Sequence, residues 1–460
     1  MDQLNIFQYI DKLEKDKYIN ETPVSELIQV KKEVKFIDLF AGMGGLRLGF
    51  EKAFNKKGIS TKCVLTSEIK KHAIEALKSN FDHDKFVGDI TKVDEKTIED
   101  FDFLLAGFPC QPFSSAGNRL GFDDTRGTLF FDVARIIKEK KPYGFILENV
   151  EGLVTHDKGN TLKTIINVLE ELGYNVSWNL LDSKDFGIPQ SRVRIYIVGT
   201  RNDKVSLENF EIKNKTLKSI LEEGLPTVDS HFTKCLLNHY KPNELYGKAI
   251  KDKRGGKDNI HSWDIGLKGE VTDSQKILLE QLFKERRKKK WAFEIGIKWM
   301  DGMPLTLEQI ATFNNSSNLK EMLDDLVEKG YLKMEYPKDE RIVEVNGKQV
   351  KKRVQDETKE KGYNIVAGKL SFEFTKILDP NSITPTLVAM DASKLGVVDG
   401  TGIRQLTLRE GLRLCGYPEE YSLNCLKKVS EGFDLLGNTV VVSVVEQVAK
   451  RLANSYLNSI

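Results

Sequence analysis

Five short apolar runs punctuate the first 200 residues: VKFIDLF, KCVLTSE, FDFLLAGF, YGFILENV and RVRIYIVGT. Between them lie stretches with apolar residues at helical spacing, such as LRLGFEKAF. Continuous apolar runs of this length suit strands buried on both faces, and their alternation with helices is that of βαβ units. The pattern predicts an α/β fold: a Rossmann-like, mainly parallel sheet with helices on both faces and ligands at the carboxyl ends of the strands. After Thr200 the alternation stops. The stretch to about residue 376 mixes lysine-rich segments, Trp263, Trp291 and Trp299, and a hairpin-like RIVEVNGKQVKKRV with Asn346-Gly347 at its turn, which predicts a second, smaller mixed domain. Inside it PLTLEQIATF, SSNLKEMLDDLVEKGYL and the hairpin follow in the order helix, helix, wing, which resembles a winged helix-turn-helix over about 304–354. Two amphipathic helices and a hairpin packed on one another is the plainer alternative. Residues 1–33 read as a polar, partly amphipathic arm.

Composition narrows the class. A chain of 460 residues, 40% hydrophobic with 24 Phe and 13 Tyr, can bury a sizeable core and is long enough for more than one domain. Its longest uncharged apolar run, residues 435–445, holds eleven residues, about half of what a membrane span needs, so no span is expected. The N-terminal MDQLNIFQYIDKLEKDK is studded with charges and lacks the apolar segment of a secretion signal, which predicts a cytoplasmic protein. The five cysteines are odd in number, with no C-x-x-C and no Cys/His spacing for zinc, so no metal is expected. Net charge is only +2, yet residues 241–300 carry 15 Lys/Arg against 9 Asp/Glu, a local +6 that leaves −4 for the rest. Such a concentration suits a polyanionic partner, with a solvated helix face as the bland reading.

Candidate chemistry begins where the first apolar run breaks. FIDLFAGMGG is a strand entering a glycine turn and then a helix, a turn that lets backbone approach a ligand closely. As G-x-G-x-x-G it fails, because position 47 is Arg and the glycines fall at 42, 44, 45 and 49. A dinucleotide, and with it a nicotinamide oxidoreductase, is therefore disfavoured, and a nucleoside site remains. Glu68 ends the next strand 26 residues after Gly42, where an acidic residue takes ribose hydroxyls. A third strand end supplies Gly88-Asp89-Ile90, with a carboxylate able to accept from an adenine amino group.

The segment GFPCQPFSSAGNRLGFDDTRGTLF follows the run FDFLLA, so Cys110 falls at a strand's carboxyl end between Pro109 and Pro112, which stop strand or helix from continuing. A lone cysteine is usually a small buried hydrophobe. Here a small-residue stretch, 114–127, follows with the composition of a mobile lid, and the next strand ends in Glu148-Asn149-Val150 on the same rim. A later strand is entered through Gln190-Ser191-Arg192-Val193-Arg194.

At these residues the sequence resembles the cytosine-5 DNA methyltransferases of bacterial restriction-modification systems. The resemblance runs in order through FAGMGG, GFPCQPFS, ENV, QSRVR, RQLTLREGLRLCGYP and LLGNTVVVSVV, covering about 34–200 and 404–445. Cys415 stands where the family usually has Gln, and Tyr417 where Phe is usual. The resemblance implies that Cys110 is a nucleophile adding to carbon 6 of cytosine, since carbon 5 alone is a poor nucleophile and the covalent step splits one hard reaction into two. It implies that Glu148 binds ring nitrogen 3 and the amino group, that Arg194 contacts the base carbonyl, and that Arg192 braces the loop or a phosphate. Contacts to the cofactor S-adenosylmethionine carry over to Phe40, Gly42, Gly44, Glu68, Ile69, Asp89, Ile90, Pro109, Leu129 and Asn438. A catalytic domain at 34–215 and 432–460 and a target-recognition domain at 216–431 follow. The implied partner is double-stranded DNA, with the base flipped out to reach Cys110. A cognate restriction endonuclease is a functional rather than physical partner, and the protein is expected to be a monomer. An RNA cytosine-5 methyltransferase and a catalytically silent DNA-binding protein are the alternatives.

Overall fold

The computed structural model of the chain describes residues 33–109, 129–252, 258–345, 348–366, 372–388 and 392–460. Residues 1–32 of the arm, Cys110, the stretch 114–127 and the turn pair Asn346-Gly347 lie outside the described residues. The described residues fold as two compact units: those up to Asp182 with Val193–Ile212 and Thr439–Ile460 form one, and those of Ser183–Arg192 with Lys213–Asn438 form the other.

In the first unit the elements follow as β1 (Glu33–Leu39), α1 (Gly45–Asn55), β2 (Ser60–Ser67), α2 (Lys71–Asn80), β3 (Phe86–Val87), β4 (Phe103–Ala106), α3 (Leu129–Lys140), β5 (Gly144–Val150), α4 (Asn160–Glu171), β6 (Asn175–Asp182) and β7 (Val193–Thr200). They build one seven-stranded sheet in the order β3-β2-β1-β4-β5-β7-β6. β1 to β5 are parallel, and β7 alone reverses, antiparallel to both β5 and β6. The mainly parallel Rossmann-like sheet expected from the sequence is the one found, and each of the five apolar runs is a strand. Helices cover both faces. One face packs Ile37, Leu104, Leu147 and Ile197 against Phe130, Val133 and Ile137 of α3 and Ile165 of α4. The other carries an aromatic cluster, Phe36 and Phe103 against Phe50 and Phe54 of α1 and Tyr456 of the C-terminal helix Val442–Asn458. α1 and that helix approach through Gly49, where a Cβ would lie 2.5 Å from Val445 Cβ, and Lys52 Nζ pairs with Glu446 at 3.0 Å.

The second unit holds α5 (His231–His239), β8 (Ala249–Ile250), β9 (Asn259–Ile260), α6 (Asp273–Glu285), α7 (Lys290–Glu294), α8 (Leu307–Ala311), α9 (Leu319–Glu328), β10 (Leu332–Glu335), β11 (Lys338–Val345), β12 (Lys348–Gln355), β13 (Gly362–Ile365), β14 (Lys376–Ile377), β15 (Leu395–Asp399), β16 (Gly402–Gln405), α10 (Leu408–Leu414) and α11 (Val429–Asn438). A five-stranded sheet, β16-β15-β14-β8-β9, packs its core around Leu236, Phe374 and Ile377. A separate core gathers Trp263, Leu278, Phe283, Met303, Leu323 and Tyr331. The RQLTLRE segment is structural here. Arg404 bonds Glu410 at 2.7 Å and Asp399 at 2.8 Å in a buried network, and Thr407 with Glu410 forms the capping box that starts α10. The two departures from the family pattern also sit in packing: Cys415 is fully buried with its Sγ 3.9 Å from the Leu436 carbonyl, and Tyr417 meets the Tyr421 ring at 4.6 Å.

Candidate active site

The carboxyl ends of β1, β2 and β3, with the loops that follow them, form one rim. At the end of β1 the chain turns sharply: Phe40, Gly42 and Gly44 all have positive φ, at 54°, 56° and 79°. For Phe40 that conformation is strained, and such strain concentrates at functional loops. Gly44 is required twice over, by its φ and because a Cβ there would stand 2.4 Å from the Phe81 ring. Glu68, just past β2, clasps the turn. One carboxylate oxygen accepts from the Gly42 N–H at 2.8 Å, and the other from the N–H groups of Ile69 and Lys70 at 2.8 and 2.7 Å. A carboxylate offers about four acceptor directions, so Glu68 keeps capacity for a hydroxyl beyond the three N–H bonds. Ile69 beside it is 74% exposed, an apolar surface open to a ligand ring.

Past β3, Asp89 caps a short 3₁₀ turn, accepting from Thr91 N–H at 3.1 Å and from its hydroxyl at 2.7 Å. Those bonds hold its carboxyl below the usual aspartate range. Ile90 points the other way, into the core, and its carbonyl is taken by Arg135 at 2.8 Å. Arg135, on α3, also bonds the Val93 carbonyl and Asp132, so one guanidinium fixes the whole loop that carries Asp89. A single Arg on a helix carries no signature in the sequence that marks this role. Leu129 opens α3 and is half-buried.

Position 47, where a dinucleotide fingerprint would need glycine, holds a working arginine. Arg47 is 8% exposed, bonds Glu51 at 2.8 Å and the Asp82 carbonyl at 3.0 Å, and lies 4.4 Å over the Phe81 ring. Beneath it on β1 is Asp38, fully buried, whose two carboxylate oxygens have no hydrogen-bond partner among the described residues. Burial, eased by Arg47, pushes its pKa up to about 8, so the group is neutral at pH 7.

Further along the sheet, β4 ends and the chain runs through Gly107 and buried Phe108 to exposed Pro109. Asn149 at the end of β5 donates its side-chain amide to the Phe108 carbonyl at 2.9 Å. The neighbouring Glu148 lies against the same run, its Oε2 3.5 Å from where a Cβ on Gly107 would sit. Register pairs Val150 with Arg194, so Glu148 and Arg194 share one face diagonally across the β5–β7 pair. They form an ion pair, Nε to Oε1 3.2 Å, with side chains 12% and 16% exposed. The structure thus brings Glu148, Arg194 and the approach to Cys110 together, and it adds Asn149, which the sequence offered only as part of ENV.

Arg192 and Asn438 belong to the second unit. Arg192 is 3% exposed and donates to the carbonyls of Leu387 and Gly437 at 3.2 and 3.0 Å, a brace of backbone. Gln190 does the same, its amide spanning the Leu414 carbonyl and the Leu387 N–H. Asn438 ends α11 and bonds Asp434. Among the described residues no group of three or more His, Cys, Asp or Glu could hold a metal ion, and no helix is long and apolar enough to cross a membrane.

Known proteins give this rim its setting. The chain is 58% identical over 430 residues to the Type II methyltransferase M.NlaIV of Neisseria lactamica, covering 92% of this chain and 99% of that protein. It is 56% identical to M.NgoBV of Neisseria gonorrhoeae over the same shares, and 42% identical to M.BanI of Aneurinibacillus aneurinilyticus, over 93% of this chain and 97% of that one. Residues 34–454 match the family described as C-5 cytosine-specific DNA methylase, and the chain belongs to that family: it is a DNA cytosine-5 methyltransferase.

Proposed function

We propose that the chain uses S-adenosylmethionine to methylate carbon 5 of a cytosine turned out of a short, specific duplex DNA site, through a covalent bond from Cys110 to carbon 6. When bound, the cofactor supplies an electrophilic methyl group. The β1–β3 rim fits it: Glu68 retains an acceptor for a ribose hydroxyl, Ile69 offers an exposed apolar face, and Asp89 can accept from an amino group. A pyrophosphate finds no matching glycine, because Arg47 is buried and engaged. Gly42, Gly44, Phe40, Pro109, Leu129 and Asn438 complete the proposed cofactor contacts, with Ile90 acting through its backbone.

In this reading the Cys110 thiolate adds to carbon 6, making carbon 5 an enamine carbon able to take the methyl group. Glu148 holds ring nitrogen 3 and the amino group, and Arg194 steadies Glu148 and contacts the base carbonyl. Loss of the carbon 5 proton then breaks the carbon–sulfur bond and frees the enzyme. The observation that supports the reading most is the meeting of the Glu148–Arg194 pair with the Gly107–Phe108 run leading into Cys110. Target recognition falls to the second unit, and the role is protection of DNA from a cognate endonuclease, by a monomer in the cytoplasm.

The test is trapping. Duplex DNA containing 5-fluorocytosine cannot lose its carbon 5 substituent and should accumulate a covalent adduct. Cys110→Ser should abolish it, and an adduct that survives overturns the proposal. With labelled S-adenosylmethionine, transfer RNA in place of DNA should take up no methyl group, and uptake there would favour the RNA reading.

A further inference from the structure

Within the second unit, residues 271–366 have an order and a core of their own. Helix α6 and the short α7 lead to Leu305, which makes an isolated antiparallel bridge to Tyr363 of β13, and then come α8, α9, β10, the β11–β12 hairpin and β13. β13 pairs with β10 on its other side, Met334 opposite Tyr363, so the last strand lies between the first two. Thr272 and Thr306 start α6 and α8 with capping boxes. With the Leu305 bridge standing where a first strand would be and the short α7 inserted before it, the order helix, helix, strand, wing, strand with β13 central follows the topology of a winged helix, in which α9 takes the position of the helix that enters the major groove.

The charges run against that use of α9. Its sequence LKEMLDDLVE has one lysine against four acidic residues, and Glu321, Asp324 and Glu328 are exposed. Bonds from Lys320 and Tyr363 hold Asp324, and bonds from Lys329 and Gln275 hold Asp325, below the usual carboxylate range, so both are ionised. A helix carrying this charge is repelled by a polyphosphate groove. The positive charge lies elsewhere on the module. Exposed Lys288 and Lys289 form the turn after α6 and exposed Lys290 opens α7, Glu285 pairing with Lys288 at 2.5 Å and with Lys290 at 3.8 Å; Lys298 follows α7, and Lys351 and Arg353 stand on the wing. Trp299 joins them: its indole N–H donates to the Arg287 carbonyl at 3.1 Å, its carbonyl accepts from Arg353 at 3.2 Å, and Lys289 lies 5.8 Å over its ring. Glu340 on the wing is paired with Lys298 and also feels Lys351 and Arg353.

Building on the functional reading above, we propose that this module is a winged helix that grips duplex DNA by its wing and the lysine turn, through the phosphate backbone, with helix α9 held out of the groove.

The experiment uses the full chain, a labelled mixed-sequence duplex for binding, and plasmid DNA with labelled cofactor for methyl transfer. Each phosphate contact contributes about 0.9 to the slope of log affinity against log salt. Lys288→Ala, Lys289→Ala and Lys351→Ala combined should therefore flatten the slope by about 2 to 3, and lysine-to-arginine exchange at the same positions should keep it. Glu321→Gln with Glu328→Gln on α9 should leave both the slope and the methylated site unchanged. A wild-type slope in the alanine variant, or an altered methylated site in the α9 variant, overturns the proposal. A wild-type chain that methylates no plasmid defeats the functional reading instead, which separates the two failures.

Discussion

Glu148 and Arg194 meet across the antiparallel β5–β7 pair at 3.2 Å, each side chain largely shielded from water. Removing one partner of such a pair leaves the other charge stranded, at a cost of up to about 3–5 kcal/mol when burial is complete. Arg194→Ala should therefore lower both the melting temperature and methyl transfer. The double variant Glu148→Gln, Arg194→Met should regain most of the melting temperature while staying inactive. Full loss of stability in the double variant, measured by thermal unfolding, would contradict the pairing.

In the proposed mechanism Asn149 acts through the backbone it holds, the Phe108 carbonyl. Asn149→Asp keeps the shape but loses the donor to the buried Phe108 carbonyl, and leaving a buried acceptor unmet costs about 1–3 kcal/mol. Steady-state kinetics should show kcat falling at least tenfold, with cofactor affinity by direct titration within twofold of wild type. An equal fall in both would mean that Asn149 serves the fold at large.

Arg47→Gly would complete the glycine spacing of a dinucleotide site, yet should yield no nicotinamide binding. It removes the Glu51 pair, the bond to the Asp82 carbonyl and the stacking on Phe81, and it places glycine inside α1 at a propensity cost of about 1 kcal/mol. A total near 3 kcal/mol should appear as a lower urea midpoint.

Asp38 ties stability to pH. Unfolded, it releases its proton near pH 4; folded, it keeps it up to about 8. Between those values the folded state holds the extra proton, so this group's contribution falls as pH rises, by up to about 1.4 kcal/mol per pH unit, and levels off above 8. Asp38→Asn should be more stable than wild type at pH 8, with the gap shrinking toward pH 5. A constant gap across that range would count against the buried proton.

The parts of this fold legible in sequence are those whose physics is local. A strand buried on both faces must be apolar throughout, so β1, β2, β4, β5 and β7 announce themselves. β6 is an edge strand of half-exposed, polar character, NVSWNLLD, with no apolar run to read, and β3, two residues long, shows only through the Gly88-Asp89 that ends it. At the site, Glu68 and Glu148 were legible because strand ends are where α/β sheets hold ligands. Arg135, Asn149 and the buried role of Arg47 were not, since each is defined by partners 35 to 45 residues away. The division of Arg192 and Arg194 between two units is equally invisible in QSRVR, where they stand two apart.

The clasp between α1 and the C-terminal helix, with Glu446 reaching Lys56 across 390 positions of sequence, has a bearing on biogenesis. Until the helix Val442–Asn458 has been synthesised, the aromatic face of the first sheet is covered by α1 alone, without Tyr456, and Gly49 lacks Val445, although the intervening unit is already made. The first unit is thus assembled from segments on both sides of the second in sequence, and a chain truncated before Val442 would leave part of an apolar face open to chaperones and proteases.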